Sequence, residues 1–123
     1  MIPISIHFNV EELQCRCCGK LPMDTLEMRL NLLKLVGLLE WIRGRTGKPI
    51  HVNCAYRCSK HNKEVGGAQN STHTKNLAAD ITVQGMNPQE VFDLIDADPM
   101  ARDGGLKAYA TFTHVDAWKF RRF

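Results

Sequence analysis

From Asp24 to about Arg45 apolar residues recur at Leu26, Leu30, Leu33, Val36, Leu38, Leu39 and Ile42. That spacing predicts an amphipathic helix with a broad apolar face, the main core helix of the chain. Gly44 and Gly47 are placed to end it, and Pro49 blocks its continuation into a strand over 50–54. Shorter helices are predicted where caps stand. Asn9 with Glu12 three residues on forms a capping box, Ser59 opens a turn that Gly66 and Gly67 close after Val65, and Asn87-Pro88-Gln89-Glu90 starts a helix running to about Asp96. The run from Leu77 to Val83 ends in β-branched residues suited to a strand, and Thr113 to Ala117 supplies another. The pattern predicts an α+β fold, a small antiparallel sheet packed with helices, as a single domain over residues 1–123.

These two strands carry candidate chemistry. His73 and Asp80 stand seven residues apart, too far for one helical turn but suited to a loop that returns as a strand. His114 and Asp116 fall on one face of the second strand by its two-residue period. Adjacent strands would bring Asp80 and His114 together. Two neutral imidazoles and one carboxylate are suitable zinc ligands, and three protein ligands leave a fourth position open, as catalytic sites do. The remaining histidines, His7, His51 and His61, read as surface or hydrogen-bonded residues.

Ser71, His73, Ala78 and Asp80 match a Ser-x-His-x-x-Gly-x-Ala-x-Asp motif, with Asn76 in place of the glycine. The segments Val52–Asn62 and Val65–Ala68, the glycine pair Gly104-Gly105, and Phe112-Thr113-His114-Val115-Asp116 extend the match from about Phe8 to Asp116. In these features the chain resembles the zinc D-alanyl-D-alanine carboxypeptidase-like peptidases of peptidoglycan, which include small phage endolysins and share the hedgehog signalling domain fold. The resemblance implies zinc held by His73, Asp80 and His114. It also implies hydrolysis of a peptide bond in peptidoglycan stem peptides, either L-Ala–D-Glu as in endolysins or D-Ala–D-Ala. Asparagine at 76 is an acceptable departure, because it enters the left-handed backbone region at modest cost.

Relatives commonly place an acid three residues before the second histidine, and here that position is Thr111. Asp116 is the nearest acidic candidate for a catalytic base, with orientation of a zinc histidine as its rival role. The resemblance places Tyr56-Arg57 by the substrate and so implies that Arg57 grips a substrate carboxylate, with a structural ion pair as its rival role. Ser71 either binds substrate or caps the ligand loop. Tyr56 and Trp118 read as core or cleft-wall residues. The competing class is a non-catalytic zinc-containing module that binds a partner or wall peptide, and a virion-associated wall protein would use the same fold.

Composition narrows the setting. A net charge of +3 spread over 123 residues gives no nucleic-acid footprint. No signal peptide or membrane span is apparent, so synthesis in the cytoplasm is expected; the resemblance implies action at the bacterial cell wall after holin-type release, and a monomer is expected. Lys119–Phe123 reads as a solvated end with packed rings. Five cysteines, Cys15, Cys17, Cys18, Cys54 and Cys58, are an awkward number for a disulfide framework and fit reduced, buried thiols. A second zinc held by the Cys15-x-Cys17-Cys18 cluster with Cys54 or Cys58 is the alternative, although a one-residue gap is unlike the usual knuckle.

Overall fold

The computed structural model describes residues 1–99 and 101–123. A short helix α1 (Val10–Leu13) precedes the long helix α2 (Leu26–Thr46). Strand β1 (Ile50–Cys54), helix α3 (Ser59–Glu64), a 3-10 turn (Thr72–Lys75), strand β2 (Ala78–Val83) and helix α4 (Pro88–Asp96) follow. Strands β3 (Gly105–Ala108), β4 (Thr113–Asp116) and β5 (Arg121–Arg122) complete the chain. The sheet order is β1-β2-β4-β3-β5, antiparallel throughout except for the parallel pairing of β3 with β5. This is the expected α+β architecture.

Helix α2 begins when the Thr25 hydroxyl accepts from the Met28 N–H at 3.1 Å, and ends at Gly47, whose φ of 64° is left-handed. Gly44 lies inside the helix and does not terminate it. The core face also differs from the expected one. Leu32, Leu35, Val36, Leu39 and Ile42 are buried, whereas Leu26, Leu30 and Leu33 are exposed. Leucines occur all round this helix, so two stripes of helical period coexist and periodicity alone cannot choose between them. The sheet makes the choice: Val52, Ile81, Val83, Leu106 and Val115 meet the buried stripe in one core with Phe8 and Leu13. Each large side chain so buried contributes about 1.5–3 kcal/mol.

Helix α3 is capped by Cys58, whose sulfur accepts from the His61 N–H at 3.4 Å; Ser59 is the first helical residue instead. Helix α4 has the predicted capping box, with Asn87 Oδ1 accepting from the Glu90 N–H at 2.8 Å and Glu90 Oε1 from the Asn87 N–H at 3.0 Å. The C-terminal segment is not a free solvated end. Arg121 and Arg122 add a strand to the sheet, and Arg122 binds Asp96 at 2.8 Å. No helix among the described residues is long and apolar enough to cross a membrane.

Candidate active site

Three backbone devices bring the site together. Strands β2 and β4 pair with Asp80 opposite His114, so their side chains leave the same face of the sheet. The turn before β2 carries His73. Ser71 caps this turn, its hydroxyl accepting from the His73 N–H at 3.2 Å, and Asn76 ends it at φ 60°. Asn76 is the one non-glycine residue with positive φ among those described. Its buried amide donates to Pro22 O at 2.8 Å, tying the turn to the segment ahead of α2, a bond that glycine could not supply. The third device is the chain after β1, where the Arg57 N–H donates to His73 O at 3.1 Å and Ala55 O lies 2.7 Å from His73 Nδ1.

His73 Nε2 lies 3.3 Å from Asp80 Oδ1, and His114 Nδ1 lies 3.1 Å from the same oxygen. The two rings meet edge to face with centroids 5.2 Å apart. The outer nitrogens fix the tautomers assigned from this network. His73 Nδ1–H donates to the Ala55 carbonyl, and His114 Nε2–H donates to Asp116 Oδ2 at 2.9 Å. His73 Nε2 and His114 Nδ1 are thereby turned toward Asp80, donating to its carboxylate when protonated and offering a lone pair to a metal when not. Ligand atoms around a tetrahedral zinc at about 2.0–2.1 Å stand about 3.4 Å apart. The donor set and both nitrogen-to-oxygen distances fit that ion. Cys54 Sγ, grouped with His73 and Asp80 within 4.8 Å, approaches the Nδ1 side of His73, where the Ala55 carbonyl already sits.

Asp116 is buried and saturated with donors. Oδ1 accepts from the Gly105 N–H at 2.9 Å and the Trp118 N–H at 3.1 Å, and Oδ2 accepts from His114 and from Arg121. The glycine pair makes room for Asp116: a Cβ on Gly104 would strike its backbone carbonyl, and one on Gly105 would strike its carboxylate and Arg121. Burial raises the Asp80 and Asp116 pKa values. Hydrogen bonds from His114 and His73 to Asp80, and from His114, Gly105 and Trp118 to Asp116, outweigh that effect and hold both below the usual range. For His114, burial lowers the value, but hydrogen bonds to Asp116 and Asp80 leave it raised.

A cleft of about 350 Å³ opens over these residues. Arg57, Ser71, Tyr109, Phe112, Arg121 and Phe123 are among the residues lining it. Arg57 Nη2 donates to Ser71 Oγ at 3.2 Å, while its Nε is buried without a partner. Ser71 thus both caps the ligand turn and faces the cleft. Thr111 is exposed and borders a separate small cavity with Ile81 and Pro88, so position 111 does not face the cleft. Asp80 is the one carboxylate among the described residues lining it. Trp118 is half-exposed beside Trp41 at another cavity, under the cations of Lys75, Lys119 and Arg121.

Arg121 and Phe123 were hidden in sequence by their place in a basic-aromatic tail. Phe123 packs edge-on against His114 at 5.7 Å, and Arg121 binds Asp116. The lone signal for them was the alternation of arginine and aromatic residues just after the second histidine strand. The cysteines likewise depart from expectation: Cys15 alone is buried, Cys54 and Cys58 are intermediate, and Cys17 and Cys18 are exposed.

Comparison with known proteins fits this geometry. No curated protein matches the chain. The sequence model of peptidase M15 matches residues 6–116, which include every residue of the His73–Asp80–His114 cluster and its Asp116 support. The chain therefore belongs to the M15 peptidases, a zinc-dependent family of the D-alanyl-D-alanine carboxypeptidase type whose role is on peptidoglycan.

Proposed function

We propose that the protein is a zinc hydrolase of peptidoglycan stem peptides, with His73, Asp80 and His114 as the metal ligands. The observation that carries this reading is the convergence of His73 Nε2 and His114 Nδ1 on Asp80 Oδ1, with each ring's other nitrogen already engaged. Zinc bound there supplies a Lewis acid for the scissile carbonyl and lowers the pKa of water.

The chain's own residues prepare that chemistry. Ala55 O and Asp116 hold the two imidazoles in fixed orientation, with the nitrogens that would meet the metal turned toward Asp80. Of the two roles open to Asp116, orientation is the better supported, because a carboxylate already accepting from Gly105, Trp118, His114 and Arg121 has no free lone pair aimed at the cleft. Arg57 lines the cleft, and its guanidinium is suited to gripping a substrate carboxylate. D-Glu in the stem peptide and a terminal D-Ala both carry a free carboxylate beside the candidate bond. Ser71 holds that guanidinium in place. Phe112, Tyr109 and Phe123 offer apolar walls for the peptide's short side chains.

An endopeptidase of the endolysin type, cutting L-Ala–D-Glu after release to the cell wall, is the finer assignment we favour. Digestion of purified peptidoglycan followed by mass spectrometry tests it. New amino termini on D-Glu support the endopeptidase, and released D-alanine replaces it with a carboxypeptidase. Stoichiometric zinc with intact substrate would sink both and leave a binding module.

A further inference from the structure

A second cluster of ligating side chains lies away from the cleft. Cys15, Cys18 and Cys58 bring their sulfurs within 4.8 Å of one another. Cys15 and Cys18 are separated by two residues, the gap of a zinc knuckle, and Gly19 follows with a left-handed φ of 72°. The turn is closed by the Gly19 N–H donating to Cys15 O at 2.9 Å and the Cys15 N–H donating to Lys20 O at 2.8 Å. Backbone amides point at the sulfurs. The N–H groups of Cys17 and Cys58 both donate to Cys15 Sγ at 3.4 Å, and that of His61 to Cys58 Sγ at 3.4 Å. Amide donors stabilise thiolates more than thiols. Sulfurs at about 2.3 Å from a tetrahedral zinc stand about 3.8 Å apart, so small rotamer adjustments of the three side chains suffice. Cys17 is exposed on the same turn, its sulfur near His61 and Glu64, and a side-chain rotation can bring it in as the fourth ligand.

We propose that Cys15, Cys18 and Cys58, with Cys17 completing the set, form a structural zinc site separate from the cleft. Each thiol gives its proton to solvent as it binds the ion. A closed thiolate set leaves no open position for substrate, so the ion acts as a staple. It joins the arm before α2 to the start of α3, and Cys58 follows directly on Arg57, which lines the cleft. Burial raises the Cys15 thiol, but the amides of Cys18, Cys58 and Cys17 bring it down to about 7, in keeping with a site that prefers the thiolate. Cys54 has no place in this set, since it lies beside His73.

The test uses the full chain purified under reducing conditions, with metal analysis and zinc X-ray absorption on three proteins. The unmodified chain should hold about two zinc ions, and His73→Ala about one, with sulfur neighbours at about 2.3 Å. Cys18→Ser alters an exposed position, so its fold should survive; its content should fall to about one zinc, without the sulfur shell, and its melting temperature should drop. Absence of a sulfur shell in the unmodified chain would overturn the proposal whatever the variants do, as would disulfides that persist under reduction. Because His73→Ala abolishes the cleft site alone, failure of the cysteine site and failure of the proposed peptidase centre give different results.

Discussion

His114 Nε2 lies 2.9 Å from Asp116 Oδ2, two residues along the same strand, and this contact turns Nδ1 of His114 toward Asp80. The two-residue repeat of β4 makes it possible, because His114 and Asp116 share a face. Replacing Asp116 by Asn removes the charge that holds His114 while leaving Arg121 without its anion. Zinc affinity should fall by about 10–100-fold, with activity following zinc occupancy. Competition with a chelator measures it. Full zinc retention with sharply reduced turnover would instead make Asp116 the base.

Removing a proposed ligand has a larger effect. His73→Ala, Asp80→Ala and His114→Ala should each abolish zinc in the cleft and hydrolysis of peptidoglycan. Metal analysis and turbidity of a wall suspension read the two losses, and full lysis by any one of these variants would remove that residue from the site.

Arg57→Ala should lower kcat/KM by about tenfold to a hundredfold, the loss of one charge-assisted contact to a carboxylate, with zinc content unchanged. Arg57→Lys should recover only part, since an ammonium cannot reproduce the two-pronged grip. A substrate with the neighbouring carboxylate amidated should be cut slowly by the native protein and no more slowly by Arg57→Ala. Equal discrimination by both proteins would assign Arg57 to structure.

Asn76 gives a backbone prediction. Alanine there must take φ 60° and leaves Pro22 O without its donor, so Asn76→Ala should cost about 2–3 kcal/mol in denaturant unfolding. Asn76→Gly keeps the conformation and loses only the side-chain bonds, at about 1 kcal/mol. Equal losses in both variants would show that the left-handed turn is not what asparagine serves.

Stability of the metal-free protein should depend on pH in two directions. His114 is raised above its ordinary 6.5, so its ion pairs stabilise the fold below that value and the contribution is lost as pH rises through the folded pKa. Asp80 and Asp116 are lowered from 3.8, so their contribution is present above 3.8 and is lost as pH falls through the folded values. Chelated protein should therefore melt at the highest temperature between these limits. Added zinc, which needs neutral His114, should raise the melting temperature most on the alkaline side. Calorimetry with and without chelator checks both arms, and a zinc effect independent of pH would argue against His114 as a ligand.

Local signals in the sequence were strong where one residue decides one turn. Asn87, Pro88 and Glu90 fixed the start of α4, Asn76 its left-handed turn, and Ile50–Cys54 the first strand. The ligand types and their spacing also stood in the chain, because a loop from His73 returning as a strand has few ways to place Asp80. What periodicity could not choose was the buried face of α2, since Leu26, Leu30 and Leu33 repeat as regularly as Leu32, Leu35 and Leu39; only the sheet beneath distinguishes them. Nor could it place Phe123 against His114, or Cys58 beside Cys15 across 43 positions of chain. Spacing and caps are local and are written residue by residue, whereas the tautomer of His114 and the closure of the cleft depend on segments that meet only after the core has formed.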